Sequence, residues 1–83
     1  MAELRRVVVT AREREIVELV RADQPTVSIA LTLGIGQATV NQTLRRVIQR
    51  NSLHTRLGLI RQVDAGGYRL RTPGQLRMAI NRA

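Results

Sequence analysis

Between Ile29 and Val40 the chain reads IALTLGIGQATV, and three residues within it restrict the fold more than any global property does. Ala30 is followed by Gly34 at a separation of four, and Val40 comes a further six residues on. Two helices that cross closely around a tight turn need a small residue at the crossing and a glycine in the turn. They also need a hydrophobe that pins the second helix down. Ile29, Leu33 and Ile35 then occupy the inward positions. The spacing predicts a helix-turn-helix: a short helix over TVSIALTL, the turn at Gly34, and a longer helix from about Gln37 to Arg50.

Flanking signals extend this reading in both directions. In TAREREIVELVR, Thr10 and Glu13 form a capping box, and Ile16, Val17 and Val20 make one apolar stripe with Leu19 beside it. A helix over Ala11 to Arg21 follows, and Pro25 closes it off because the residue before a proline is driven from helical angles. A fourth helix is predicted in TRLGLIRQVDA, with Thr55 as cap, Leu57, Leu59, Ile60 and Val63 apolar, and the glycines at 66–67 as its end. YRLR alternates like a short extended segment. Thr72, Pro73 and Gln75 then carry the start signals of a short fifth helix, with Leu76, Ala79 and Ile80 on one side. The fold class is all-α. An arm over 1–9 leads into a four-helix helix-turn-helix domain over 10–66, and a C-terminal extension over 67–83 carries the additional short helix.

Composition limits what such a domain can do. The 83 residues contain no cysteine, which removes disulfides, thiolate catalysis and cysteine-ligated zinc together. His54 is the only histidine, so neither a His-containing triad nor a multi-histidine metal site forms within one chain. The six acids show no pairing suited to hydrolysis, and an internal ion pair of Glu13 or Glu15 with Arg56 is the expectation for them. The GIG at 34–36 lacks the remaining glycine and the helix context of a phosphate loop. No enzyme activity and no cofactor are expected. The start MAELRRVVVT has no long apolar stretch, and no run approaches the roughly 20 residues of a membrane span, so a cytoplasmic location is expected.

The formal net charge is +8, and every basic residue is arginine. A balance of this sign favours a polyanionic partner. With one tyrosine and neither phenylalanine nor tryptophan, the stacking platforms of single-strand binders are missing, so duplex DNA is favoured over RNA. The same lack of aromatic anchors argues against a membrane surface. On the predicted third helix, Val40, Leu44, Val47 and Ile48 share one stripe, opposite Ala38, Asn41, Gln42, Arg45, Arg46 and Gln49. An ordinary solvent face mixes both signs of charge; this one carries amides and arginines and no acid. Asn and Gln pair bidentately with adenine, and Arg with guanine, across the major groove.

At these residues the chain resembles the DNA-binding domain of the LuxR/GerE/FixJ-type regulators. That family opens with a pattern close to L-T-x-R-E-x-E-V-L, against VTAREREIV here, and continues with I-A-x-x-L-x-I-S-x-x-T-V, against IALTLGIGQATV. The register holds without a gap from about Val9 to Gly66. The resemblance implies a third helix in the major groove, with Asn41, Gln42 and Arg45 at base edges. It also implies phosphate contacts by Thr39, Arg46, Arg50 and the backbone near Thr26 and Val27. The fourth helix, with Leu57, Ile60 and Val63, would form a homodimer interface. The chain departs from the family at Gly36, where a capping Ser is usual, at Asn41 (often Lys) and at Thr43 (often His). Asp23 stands where glycine is frequent, and Asn51-Ser52 where Leu-Gly is usual. Region four of sigma factors shares much of the pattern.

The expectation is therefore a stand-alone, sequence-specific regulator of transcription that binds double-stranded DNA as a homodimer, through helix four, the C-terminal extension, or both. RNA polymerase or another regulator is a further candidate partner. The alternatives are a recombination or excision accessory protein of a mobile element, a sigma region four-like protein-interaction module, and an RNA binder. In the extension, Leu76 and Ile80 are read as packing residues. The rival reading has Arg69, Arg71, Arg77 and Arg82 lengthening a phosphate footprint; the arm's Arg5 and Arg6 admit either role.

Overall fold

A computed structural model describes residues 5–71. In chain order these form β1 (Val7–Val9), α1 (Ala11–Arg21), α2 (Thr26–Leu33), α3 (Gln37–Arg50), α4 (Arg56–Gly66) and β2 (Tyr68–Leu70). The four helices lie where the capping and breaking signals predict them. The Thr10 hydroxyl accepts from the Glu13 N–H at 3.2 Å while the Glu13 carboxylate accepts from the Thr10 N–H at 2.8 Å, so the capping box of α1 is complete. The Thr55 hydroxyl caps α4 by accepting from the Gly58 N–H at 2.9 Å. α2 and α3 start at Pro25 and Gly36 without any side-chain cap, as the absence of a serine at 36 implies.

α1, α2 and α3 end alike. Gln24, Ile35 and Leu53 donate their N–H groups to the carbonyls of Leu19, Ala30 and Ile48 at 3.1, 2.9 and 2.9 Å. Inside each of these bonds a shorter loop closes, from Asp23 to Val20, Gly34 to Leu31 and Ser52 to Gln49. This double closure requires a left-handed residue just beyond the helix. Asp23, Gly34 and Ser52 fill that place, with φ of 62°, 68° and 57°.

The core gathers from every element. Val7, Val9, Ile16, Val17, Ile29, Val40, Val47 and Leu59 are fully buried, with Val20, Ala30, Leu44 and Val63 close behind. Ala30 is buried on α2, which packs against both α3 and α1.

The all-α class holds with one small addition: a parallel pair of three-residue strands. Val7 lies opposite Tyr68, Val8 opposite Arg69 and Val9 opposite Leu70. Flanking bonds run from the Val7 N–H to the Gly67 carbonyl at 2.9 Å and from the Arg71 N–H to the Val9 carbonyl at 2.7 Å. Residues 7–9 are thus part of the fold and not of an arm, because Val7 and Val9 fill core space the helices leave open. Burying a valine contributes roughly 1.5–3 kcal/mol.

Alternate backbone groups of a strand point to opposite edges, and Val8 points away from β2. The Asn51 side chain meets it there. Its Oδ1 accepts from the Val8 N–H at 2.8 Å, and its Nδ2 donates to the Val8 carbonyl at 3.1 Å and to the Val47 carbonyl at 2.8 Å. Gly66 lets the lead-in to β1 come close, since a Cβ placed there would fall 2.3 Å from the Arg5 carbonyl oxygen. The predicted fifth helix, with Thr72, Leu76 and Ile80, lies outside the described residues.

Candidate nucleic-acid interface

α3 divides by burial as its periodicity predicts. Val40, Thr43, Leu44 and Val47 are buried and Ile48 partly so, whereas Ala38, Thr39, Asn41, Gln42, Arg45, Arg46 and Gln49 are exposed. Asn41, Arg45 and Gln49 line a shallow groove on the flank of α3 whose far wall is Leu53, His54 and Arg56 from the α3–α4 connection and the start of α4. The structure therefore brings Asn41 and Arg45 into one concavity, with Gln42 and Arg46 on the same exposed helix. Thr26 is half-buried and Val27 exposed at the uncapped start of α2. Gly34 forms the left-handed turn between α2 and α3.

Ion pairing sorts the arginines into two groups. Arg12 pairs with Glu15 at 3.1 Å, and its guanidinium also donates to the Leu33 carbonyl at the end of α2. Arg21 bridges Glu18 at 2.8 Å and Asp64 at 2.6 Å, tying the ends of α1 and α4 together. The Tyr68 hydroxyl donates to the same Glu18 carboxylate at 2.5 Å, which anchors β2 to this cluster. That hydrogen bond is the main reason Glu18 ionises below the usual carboxylate range. Burial, then the carboxylate, push the Tyr68 phenol up. Arg45, Arg46 and Arg56 take part in none of the four ion pairs among the described residues. Four of the five described carboxylates are thus engaged by Arg12, Arg21 and Arg50, and none belongs to α3.

Three expectations change. Arg50 does not stand free to meet phosphate: its guanidinium donates to both Glu13 oxygens, at 2.6 and 2.9 Å, and to the Val8 carbonyl at 3.2 Å. The Glu13 side chain is 6% exposed and that of Arg50 21%, so this is a largely buried pair linking α1, α3 and β1. The Arg50 hydrogen bond holds the Glu13 carboxyl below its ordinary range, and Glu13 in turn raises Arg50. The acidic partner expected for Arg56 is therefore taken, Glu13 by Arg50 and Glu15 by Arg12. Val63, expected at a dimer interface, is 5% exposed and packs in the protomer's own core. Leu57, at 55% exposed, and the half-buried Ile60 remain outward on α4.

Sequence reasoning missed Asn51, whose amide completes the free edge of β1. Its only local signal is a departure from the family pattern, because its partner lies 43 residues away. No helix among the described residues is long and apolar enough to cross a membrane. Residues 7–63 match the family model described as "GerE: Bacterial regulatory proteins, luxR family". Neither a curated protein nor a solved structure matches the chain.

Proposed function

The chain belongs to the luxR family of bacterial regulatory proteins, and is thereby a helix-turn-helix DNA-binding regulator of transcription; from that premise we propose that it acts as a homodimer whose α3 helices read the major groove. Asn41, Gln42 and Arg45 address base edges, with the amides matched to adenine and the guanidinium to guanine. Thr39 and Arg46 hold phosphate oxygens beside them, joined by the backbone N–H groups at Thr26 and Val27, where α2 lacks a side-chain cap. Arg50 has no part in this footprint. α4 supplies the dimer contact through Leu57 and Ile60, and two-fold symmetry then places half-sites about one helical turn apart.

One observation carries the reading. The exposed face of α3 presents amides and arginines without a carboxylate, while four of the five described acids are engaged by Arg12, Arg21 and Arg50. Selection of duplexes from a random pool yields the preferred site. Arg45→Ala is then expected to lose roughly 1–3 kcal/mol of discrimination at one base pair per half-site. A competition assay in which Arg45→Ala keeps the parent's preference would remove α3 from the reading role.

A further inference from the structure

The pairing of β1 with β2 draws arginines from both ends of the described chain onto one surface. Side chains alternate along a strand, so the valines at 7 and 9 that enter the core send Arg6 and Val8 to the opposite face. Arg69 stands opposite Val8 in the parallel register and shares that face, and Arg71 follows two residues on. Arg5, Arg6 and Arg69 line a single concavity together with Val8 and Leu53. No carboxylate among the described residues lines it, and none of the four ion pairs among those residues includes these arginines. Arg50, the remaining cation at its wall, is neutralised by Glu13. Leu53 also borders the groove along α3, so the two concavities are neighbours across this side chain.

We propose that the arginine face of the strand pair is a second phosphate-binding surface, taking the sugar-phosphate backbone of duplex DNA that continues beyond the stretch addressed by α3. Planar guanidinium forks suit phosphate oxygens, and a row of them on a concave face follows a charged strand better than it meets an isolated anion. No aromatic ring lines the concavity, so unstacked bases find no platform there, which selects duplex over single strand. The face is formed only because residues 5–9 are held against residues 67–71, so the strand pair adds contact length that the four helices do not provide.

The continuity of this surface with α3 rests on the proposed reading role of that helix, and the test separates the two. Affinity for the selected duplex is measured over a range of salt for the parent, for R6A/R69A and for R45A. Thermal melts confirm that R6A/R69A, altered at two exposed positions, retains the fold. Loss of two phosphate contacts is expected to reduce the slope of log K against log salt by about two units while sequence preference stays intact. R6K/R69K, which keeps the charges, is expected to restore most of the slope. A parental slope in R6A/R69A overturns the proposal, even if R45A loses sequence preference as the α3 reading requires. A reduced slope in R6A/R69A, with preference unchanged in R45A, leaves the arginine surface standing and removes the reading role from α3.

Discussion

Asp23, Gly34 and Ser52 occupy one backbone geometry at the ends of three successive helices, yet only one of them is glycine. An L residue with a Cβ costs about 1–2 kcal/mol in the left-handed region, less for aspartate, whose short polar side chain tolerates it. Glycine relieves that cost but adds freedom to the unfolded chain, which returns part of the gain. Ser52→Gly is therefore expected to stabilise the domain by roughly 0.5–1 kcal/mol and Asp23→Gly by less, while Gly34→Ala loses about 1 kcal/mol. Urea midpoints rank the three. Asp23 and Ser52 are also positions where the chain departs from its family's glycines, so the departures affect stability at helix ends and leave the fold intact.

Glu13 shows how one residue can serve two purposes: its carboxylate closes the cap of α1 and anchors Arg50. Arg50→Ala would leave that carboxylate buried and unpaired, and is expected to cost on the order of 3 kcal/mol in urea denaturation. The pair also sets an acid limit. Glu13 ionises more readily folded than unfolded, so its contribution is fully present above the unfolded value near 4.5 and disappears as pH falls through the lower folded value. Stability of the parent should hold near neutrality and fall in that acidic window, and Glu13→Gln should flatten the fall.

At the level of elements, the helices were legible because their signals are local. Thr10 with Glu13, Pro25, Gly34, Thr55 and the glycines at 66–67 each act within a few residues of the boundary they set. The buried stripe of α3, and the exposed face opposite it, followed from periodicity alone. β1 was not legible. Three consecutive valines show no alternation, and their strand partner lies some sixty residues on, beyond the reach of any local pattern. Arg50 was misread for a related reason: the family resemblance assigned it to phosphate, and no local pattern tells of a carboxylate 37 residues away. The same distance hid Asn51. Replacing Asn51 with leucine strands the backbone groups of Val8, and a loss of about 1–3 kcal/mol is expected, with faster hydrogen exchange at the Val8 amide.

At the scale of the described molecule, most carboxylates are already paired. Those of α1 and Asp64 are tied to Arg12, Arg21 and Arg50, leaving the other exposed arginines, those of α3 and of the strand pair among them, to set the field an approaching polyanion meets. The proposed dimer belongs to this scale too. Leu57→Glu alters a side chain that is half exposed in the protomer, so it should leave the melting curve of the monomer nearly unchanged. Sedimentation is expected to show a shift toward monomer, and the DNA titration a lower apparent affinity at equal salt; a parental sedimentation profile would exclude α4 as the interface.

The strand pair has a mechanical consequence as well. Because β1 and β2 run parallel, chain preceding β1 departs from one end of the pair and chain following β2 from the other. Tension applied between those two exits shears the rungs together and does not peel them one at a time, and Asn51 bolts β1 to the end of α3. Three residues of strand thus act as a buckle, passing a pull on either flank to the helix pair as a unit.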